Sequence, residues 1–168
     1  MKHRNIFRLA LVAIVGFAPT LGKALVIEQT LPELVRESDV IVRGTVAATT
    51  CRWGSPAYDP NSRIIFTDVR LILADRFKGV AADTELLIET EGGVVDDRGL
   101  KVEDQPEFQT GEDVIVFLSP QNQNNRRTVV GLFQGEFTLD QGRVIENQLR
   151  VEDFIREIGQ IVQEQEQR

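Results

Sequence analysis

Carboxylates are the abundant reactive groups of this chain: 26 acidic residues stand against 19 basic ones. Glu89 and Glu91 are two apart in a segment with strand character, so they share one face. Asp96, Asp97, Glu103 and Asp104 flank the turn-rich stretch that follows. Two acids held about 5 to 9.5 Å apart could serve as the acid and the base or nucleophile of glycoside hydrolysis. Several carboxylate oxygens converging on one point could hold calcium. Glu89, Glu91, Asp96 and Asp97 are the candidate metal ligands, although their spacing matches no calcium loop and acids in turns are ordinarily solvated.

Other chemistries lack their residues. The only histidine is His3 and the only cysteine is Cys51. If residues 1–24 are removed, Ser-His-Asp and Cys-His arrangements are impossible, as are His-ligated or thiolate zinc sites. The serines at 38, 55, 62 and 119 are followed three residues later by Ile41, Tyr58, Ile65 and Asn122, so no Ser-x-x-Lys pair exists. Gly131-Leu132-Phe133-Gln134-Gly135 is neither a phosphate-binding loop nor a dinucleotide fingerprint, and its glycines suit a bend in a curved sheet. No catalytic residue and no cofactor is expected. One cysteine gives no internal disulfide, and Cys51 reads as a packing residue near a strand end.

Residues 1–24 read as an export signal. Lys2, Arg4 and Arg8 form a basic start, Leu9 to Phe17 is apolar, and Gly22-Lys23-Ala24 puts small residues at a cleavage point. A membrane anchor would need an apolar run of ~20 residues, and Pro19 and Thr20 interrupt this one. Cleavage would leave Leu25 at the new N-terminus, a single β-barrel domain over residues 25–165, and a periplasmic or extracellular protein without membrane insertion. The leader takes four bases and no acid with it, so the net charge of −7 falls to −11. So acidic a surface disfavours nucleic acid, whose binding needs clustered Lys and Arg. The expected partner is another exported or envelope protein.

Recognition residues are fewer. Trp53 and Tyr58, the only Trp and the only Tyr, flank a proline-containing loop where exposed aromatics could anchor a partner. The simpler reading of Trp53 is a cap on the core beside Cys51. Phe133 and Phe137 are read as core.

These residues need a scaffold. Thr30-Leu31-Pro32-Glu33 has the form of a capping box opening a short helix that ends near Ser38. Strands are expected from Val40 to Val46 and on toward Trp53, from Ile64 to Leu73 with Phe77-Lys78-Gly79 as a turn, and over Glu85 to Thr90. Gly44 marks a bend or a close backbone approach. After Gly92-Gly93 a hairpin turns at Asp97-Arg98-Gly99. The unbroken apolar run Val114 to Leu118 is a central strand, Ser119 to Arg127 a polar loop, and Thr128 to Leu132, Gly135 to Leu139 and Arg143 to Ile145 further strands. Val151, Phe154, Ile155, Ile158, Ile161 and Val162 recur at helical spacing, with the terminal Gln-Glu repeat fraying. Short strands with glycine-rich turns between two helices predict a mainly β fold, a closed or nearly closed antiparallel barrel, with a β-sandwich as the alternative.

A resemblance sharpens this expectation. The strand Ser38-Asp39-Val40-Ile41-Val42-Arg43-Gly44-Thr45-Val46 after a short helix, the Phe77-Lys78-Gly79 turn and the strand at Glu85 to Thr90 resemble, over Leu31 to Leu118, the netrin-like N-terminal barrel of the tissue inhibitors of metalloproteinases, an OB fold. The chain is also similar to a group of small exported bacterial proteins of unassigned activity. They share the S-D-x-I-V-x-G-x-V strand, the Lys78-Gly79 turn, Gly92-Gly93, and Gly111-Glu112 through Phe117-Leu118. The resemblance implies an OB-like fold and export but no reaction. The signal, the barrel pattern and the missing catalytic groups point to a non-enzymatic module that binds another protein, with protease inhibition as an analogy of fold. In those inhibitors a disulfide-held N-terminal cysteine chelates the target's zinc. Leu25 would offer its amine and carbonyl without such a clamp.

Overall fold

The computed structural model describes residues 27–79 and 84–167. Thr30 opens helix α1 (Leu31–Glu37) as the capping pattern requires: the Glu33 carboxylate accepts from the Thr30 N–H at 2.8 Å and from its hydroxyl at 2.7 Å. Hydrogen bonding to the Thr30 backbone and hydroxyl holds the Glu33 carboxyl below its usual range. The helix stops where Ser38 donates its backbone N–H and its hydroxyl to the Leu34 carbonyl. Leu34 and Val35 are buried, and Leu31 packs beside them.

Two long strands follow, β1 (Val40–Gly54) and β2 (Ile64–Lys78), paired antiparallel from Ile41↔Lys78 to Gly54↔Ile64. The register shifts three times, once beside Gly44, where a Cβ would strike the Ile72 carbonyl oxygen. Gly44 is thus the close approach its sequence context suggests. The second strand runs past the expected end at Leu73 and through the expected turn residues Phe77 and Lys78. Lys78 is held there because its ammonium donates to the Val35 carbonyl at 2.5 Å and the Ser38 carbonyl at 2.7 Å, where the helix macrodipole favours a cation. Gly79 turns at φ 74°.

Strand β3 (Glu85–Glu91) pairs with β2, and a small hairpin of β4 (Gly93–Val95) and β5 (Arg98–Leu100) branches off as a separate two-stranded sheet. Strand β6 (Asp113–Leu118) pairs with β1 on one side and β7 (Glu136–Asp140) on the other, and β8 (Arg143–Val144) completes the order β3-β2-β1-β6-β7-β8. Centrality explains the apolar runs. Val40, Val42, Val114 and Val116 enter one core cluster with Val69 and Ile88, while the alternate residues Ile41, Ile115 and Phe117 enter a second. That second cluster is roofed by α1 and by helix α2 (Val151–Glu166), through Phe154, Ile158 and Val162. The Gln-Glu tail expected to fray is helical to Glu166.

The fold is mainly β with an antiparallel sheet and two helices, and the expected closed barrel is corrected: the sheet is open, with β3 and β8 at its edges. The segment expected as a strand over Thr128 to Leu132 makes single bridges only, Ile88↔Arg127 in parallel and Leu118↔Val129 in antiparallel sense. Backbone bonds nonetheless tie it to both sides, Glu89 N to Arg127 O at 2.8 Å and Val130 N to Phe117 O at 2.8 Å. Arg127, buried, anchors it by donating to Asp39 and the Ser119 carbonyl, both at 2.6 Å. It ends at once because Gly131 and Leu132 have φ of 70° and 61°, left-handed values that break a strand. The chain then forms a short 3-10 turn, Leu132–Gly135. Among the described residues, no helix is long and apolar enough to cross a membrane.

Candidate binding cleft

Strand pairing sets the candidate residues in rows. On the face of β1, β2 and β3 that carries Arg52, one row is Arg52–Phe66–Glu91 and the next is Thr50–Asp68–Glu89. Asp68 and Glu89 therefore stand directly opposite across two strands, an arrangement that repels unless cations intervene. Two arginines do. Arg52 Nε donates to Asp68 at 2.9 Å and its Nη2 donates to Glu89. Arg126, from the loop after β6, makes a two-pronged contact with Asp68, 2.8 Å at each oxygen, and lies 3.8 Å from Glu89. The guanidinium of Arg52 also lies 5.2 Å over the Phe66 ring. Burial alone would push the Asp68 carboxyl up, but the hydrogen bonds from Arg126 and Arg52 outweigh it and hold it below the usual range. Two positive and two negative groups leave the quartet neutral.

The quartet lies beside a cleft of about 750 Å³, whose lining includes Arg52, Glu89 and Glu91. Its walls are the loop between β1 and β2, with Pro56 buried and Tyr58 73% exposed, and the amide-rich Asn122-Gln123-Asn124. The loop is shaped by turns in which Asp59 N donates to Pro56 O and Ser62 N to Asp59 O, each at 3.1 Å. Tyr58 leans on the rim, its hydroxyl donating to Glu91 at 3.2 Å. An exposed aromatic fixed by its polar end, beside a set of paired charges, is suited to contact and hydrogen bonding. Proton transfer fits it poorly, since the Asp68 carboxylate is held ionised and Glu89 is bound by a guanidinium.

The structure brings Tyr58, Glu89 and Glu91 to this cleft and separates the other candidates. Trp53 alternates to the opposite face of β1, half-buried, with the Arg63 guanidinium 5.6 Å over its ring. It lines a smaller recess of about 350 Å³ with Ile65 and Leu100. Cys51 on that face lies 3.4 Å from the Thr67 hydroxyl, with Gly93 (φ 125°) pressed so close that a Cβ there would meet its sulfur. Asp96 and Asp97 are exposed at the tip of the β4–β5 hairpin. No group of three or more His, Cys, Asp or Glu that could hold a metal ion is found among the described residues. Leu25 lies outside the described residues.

Asp68, Arg52 and Arg126 escaped the sequence reading. The polar alternation of β2 marks Asp68 as outward-facing, but only the hairpin register puts it against Glu89, and nothing local links Arg126 to either. Comparison of the chain with protein-family models and with curated proteins finds no match.

Proposed function

We propose that this chain is an exported, non-enzymatic binding module, an OB-like barrel whose cleft around Tyr58 grips another protein in the periplasm or outside the cell. The observation that carries this reading is the charge quartet. The carboxylates best placed for chemistry, Asp68 and Glu89, are engaged by Arg52 and Arg126, while the one tyrosine stands exposed above them. A carboxylate hydrolase needs one protonated acid beside an ionised partner; of the two cleft carboxylates Glu89 is engaged by Arg52, and Glu91 carries the Tyr58 hydroxyl bond. The leader pattern of residues 1–24 supports export.

The barrel reading is supported by the course of the chain. Three antiparallel strands, a fourth returning beside β1, and single bridges from Arg127 in parallel to β3 and from Val129 in antiparallel sense to β6 are compatible with the strand order of a partly open five-stranded OB barrel. The resemblance to netrin-like domains agrees with that order. Protease inhibition stays an analogy of fold, since function belongs to a site and not to a barrel.

The test is a paired assay on purified protein. A panel of chromogenic esters, glycosides and peptides should show no turnover above buffer, and proteins retained from the exported fraction should be lost with Tyr58→Ala. Turnover that disappears in Glu89→Gln or Glu91→Gln would replace this reading with the hydrolase.

A further inference from the structure

A second surface, remote in the chain order from the Tyr58 loop, has a different character. A groove of about 600 Å³ opens between α1, the 3-10 turn, β7 and the start of α2. Its floor is apolar: Leu34 and Phe154 are buried there, and Phe137 packs edge-on to Phe117 at 5.6 Å and tilted against Phe154 at 4.7 Å. Its lips are apolar too, yet wet, with Phe133 46% and Leu149 39% exposed. The wall formed by residues 27–29 is fixed by one side chain. Gln134 accepts from the Gln29 N–H at 2.8 Å and donates to the Ile27 carbonyl at 3.1 Å.

The charged groups of this groove have one sign. Glu28, Glu136, Glu146 and Glu157 line it, and among the described residues no lysine or arginine does. None of the four makes an ion pair among the described residues. Glu136 is enclosed most: burial pushes its carboxyl up to about 7, the Thr138 hydroxyl bond works against this, and Glu146, Glu112 and Glu107 push the same way. No metal-holding group is found among the described residues, and a second copy of a chain with net charge −7 would be repelled.

From this complementarity we infer that the groove is a docking site for a short basic segment of a partner protein, an arginine or lysine flanked by apolar residues. The chemistry matches part by part. A long cationic side chain lays its methylene stem on apolar surface and carries its charge beyond it. The floor of Phe137 and Phe154 would receive the stem, Phe133 and Leu149 the flanking residues, and Glu136 with Glu146 the charge. A cation would also relieve the crowding of carboxylates, so binding should be strongest where Glu136 is ionised. The site does not depend on the Tyr58 cleft.

The probe is a labelled peptide Leu-Arg-Leu-Arg-Leu, titrated with the full chain by fluorescence anisotropy, beside the same peptide with neutral citrulline for arginine. The arginine peptide should bind roughly tenfold more tightly than the citrulline peptide, and more tightly at pH 8 than at pH 5.5. Glu136→Gln and the exposed-lip variant Phe133→Ser should each weaken it by about fivefold or more, with Tyr58→Ala unchanged. Phe133→Ser alters a half-exposed residue and leaves the fold standing. Equal binding of the two peptides would overturn the proposal. So would binding that both groove variants retain and salt alone abolishes, the sign of diffuse attraction to an acidic protein. A dimer of the chain that Phe133→Ser dissociates and that excludes the peptide would assign the groove to self-association instead.

Discussion

Replacing Glu136 by glutamine should stabilise the protein in alkali and not in acid. The carboxyl is pushed from 4.5 up to about 7, chiefly by burial and then by Glu146, Glu112 and Glu107. The native state therefore holds a proton that the unfolded chain has already released. Stability from this group is fully present below about 4.5, falls as pH rises, and is gone above about 7. At about 1.4 kcal/mol per unit, the unscreened difference is about 3 kcal/mol. Water reaches part of the site and screens the charge, so an effect of roughly 1 to 2 kcal/mol is the appropriate magnitude. Glutamine keeps the shape and the hydrogen bond from Thr138 and carries no charge. In urea unfolding at pH 8 the variant should gain that amount over the wild type, a rise in Tm of roughly 3 to 6 °C. At pH 4.5 the two should be within about 0.5 kcal/mol. A loss of stability at pH 8, or an equal change at both pH values, would refute the burial argument.

Other substitutions probe the scaffold. Arg126→Ala leaves Asp68 and Glu89 opposed with only Arg52 between them, and should cost about 1 to 3 kcal/mol in urea unfolding. Adding Asp68→Asn should recover part of that loss, and strict additivity of the two would contradict the quartet. Gly44→Ala drives a methyl into the Ile72 carbonyl and should cost about 2 kcal/mol or more, which thermal melting would read as a drop of several degrees. Thr30→Ala removes the hydroxyl that bonds Glu33 and should cost about 0.5 to 2 kcal/mol, with unchanged stability counting against the capping box.

What the sequence could convey follows from how local each feature is. The capping box at Thr30, the strand opening at Ile64, the apolar run of β6 and the helical repeat of α2 are set within a few residues, and all are legible. The extent of β2 was not, because Lys78 is held by the Val35 and Ser38 carbonyls at the end of α1, some 40 residues away, and Phe77 packs on the helix-roofed core cluster. The closed barrel failed at one place. Thr128 to Leu132 has β-forming composition, but positive φ at Gly131 and at Leu132 ends the strand, and leucine gives no warning of a left-handed conformation. The cleft was half visible. Tyr58, Glu89 and Glu91 stood out by type, whereas the arginines that neutralise Glu89 came from register and from a distant loop. Trp53 and Tyr58, read together as flanks of one loop, part company because strand alternation sends Trp53 to the other face. Phe133, read as core, lies on a groove lip half-exposed, because the chain makes a 3-10 turn there, Leu132–Gly135.

The most direct trial of recognition through the cleft is photocrosslinking within the exported fraction, with p-benzoylphenylalanine introduced at position 58 and, separately, at Asp97 on the hairpin tip. The account predicts a discrete adduct of one partner protein from position 58 that is missing from position 97. Identical adduct patterns from both positions, or none from position 58 while the chain turns over a small substrate, would contradict it.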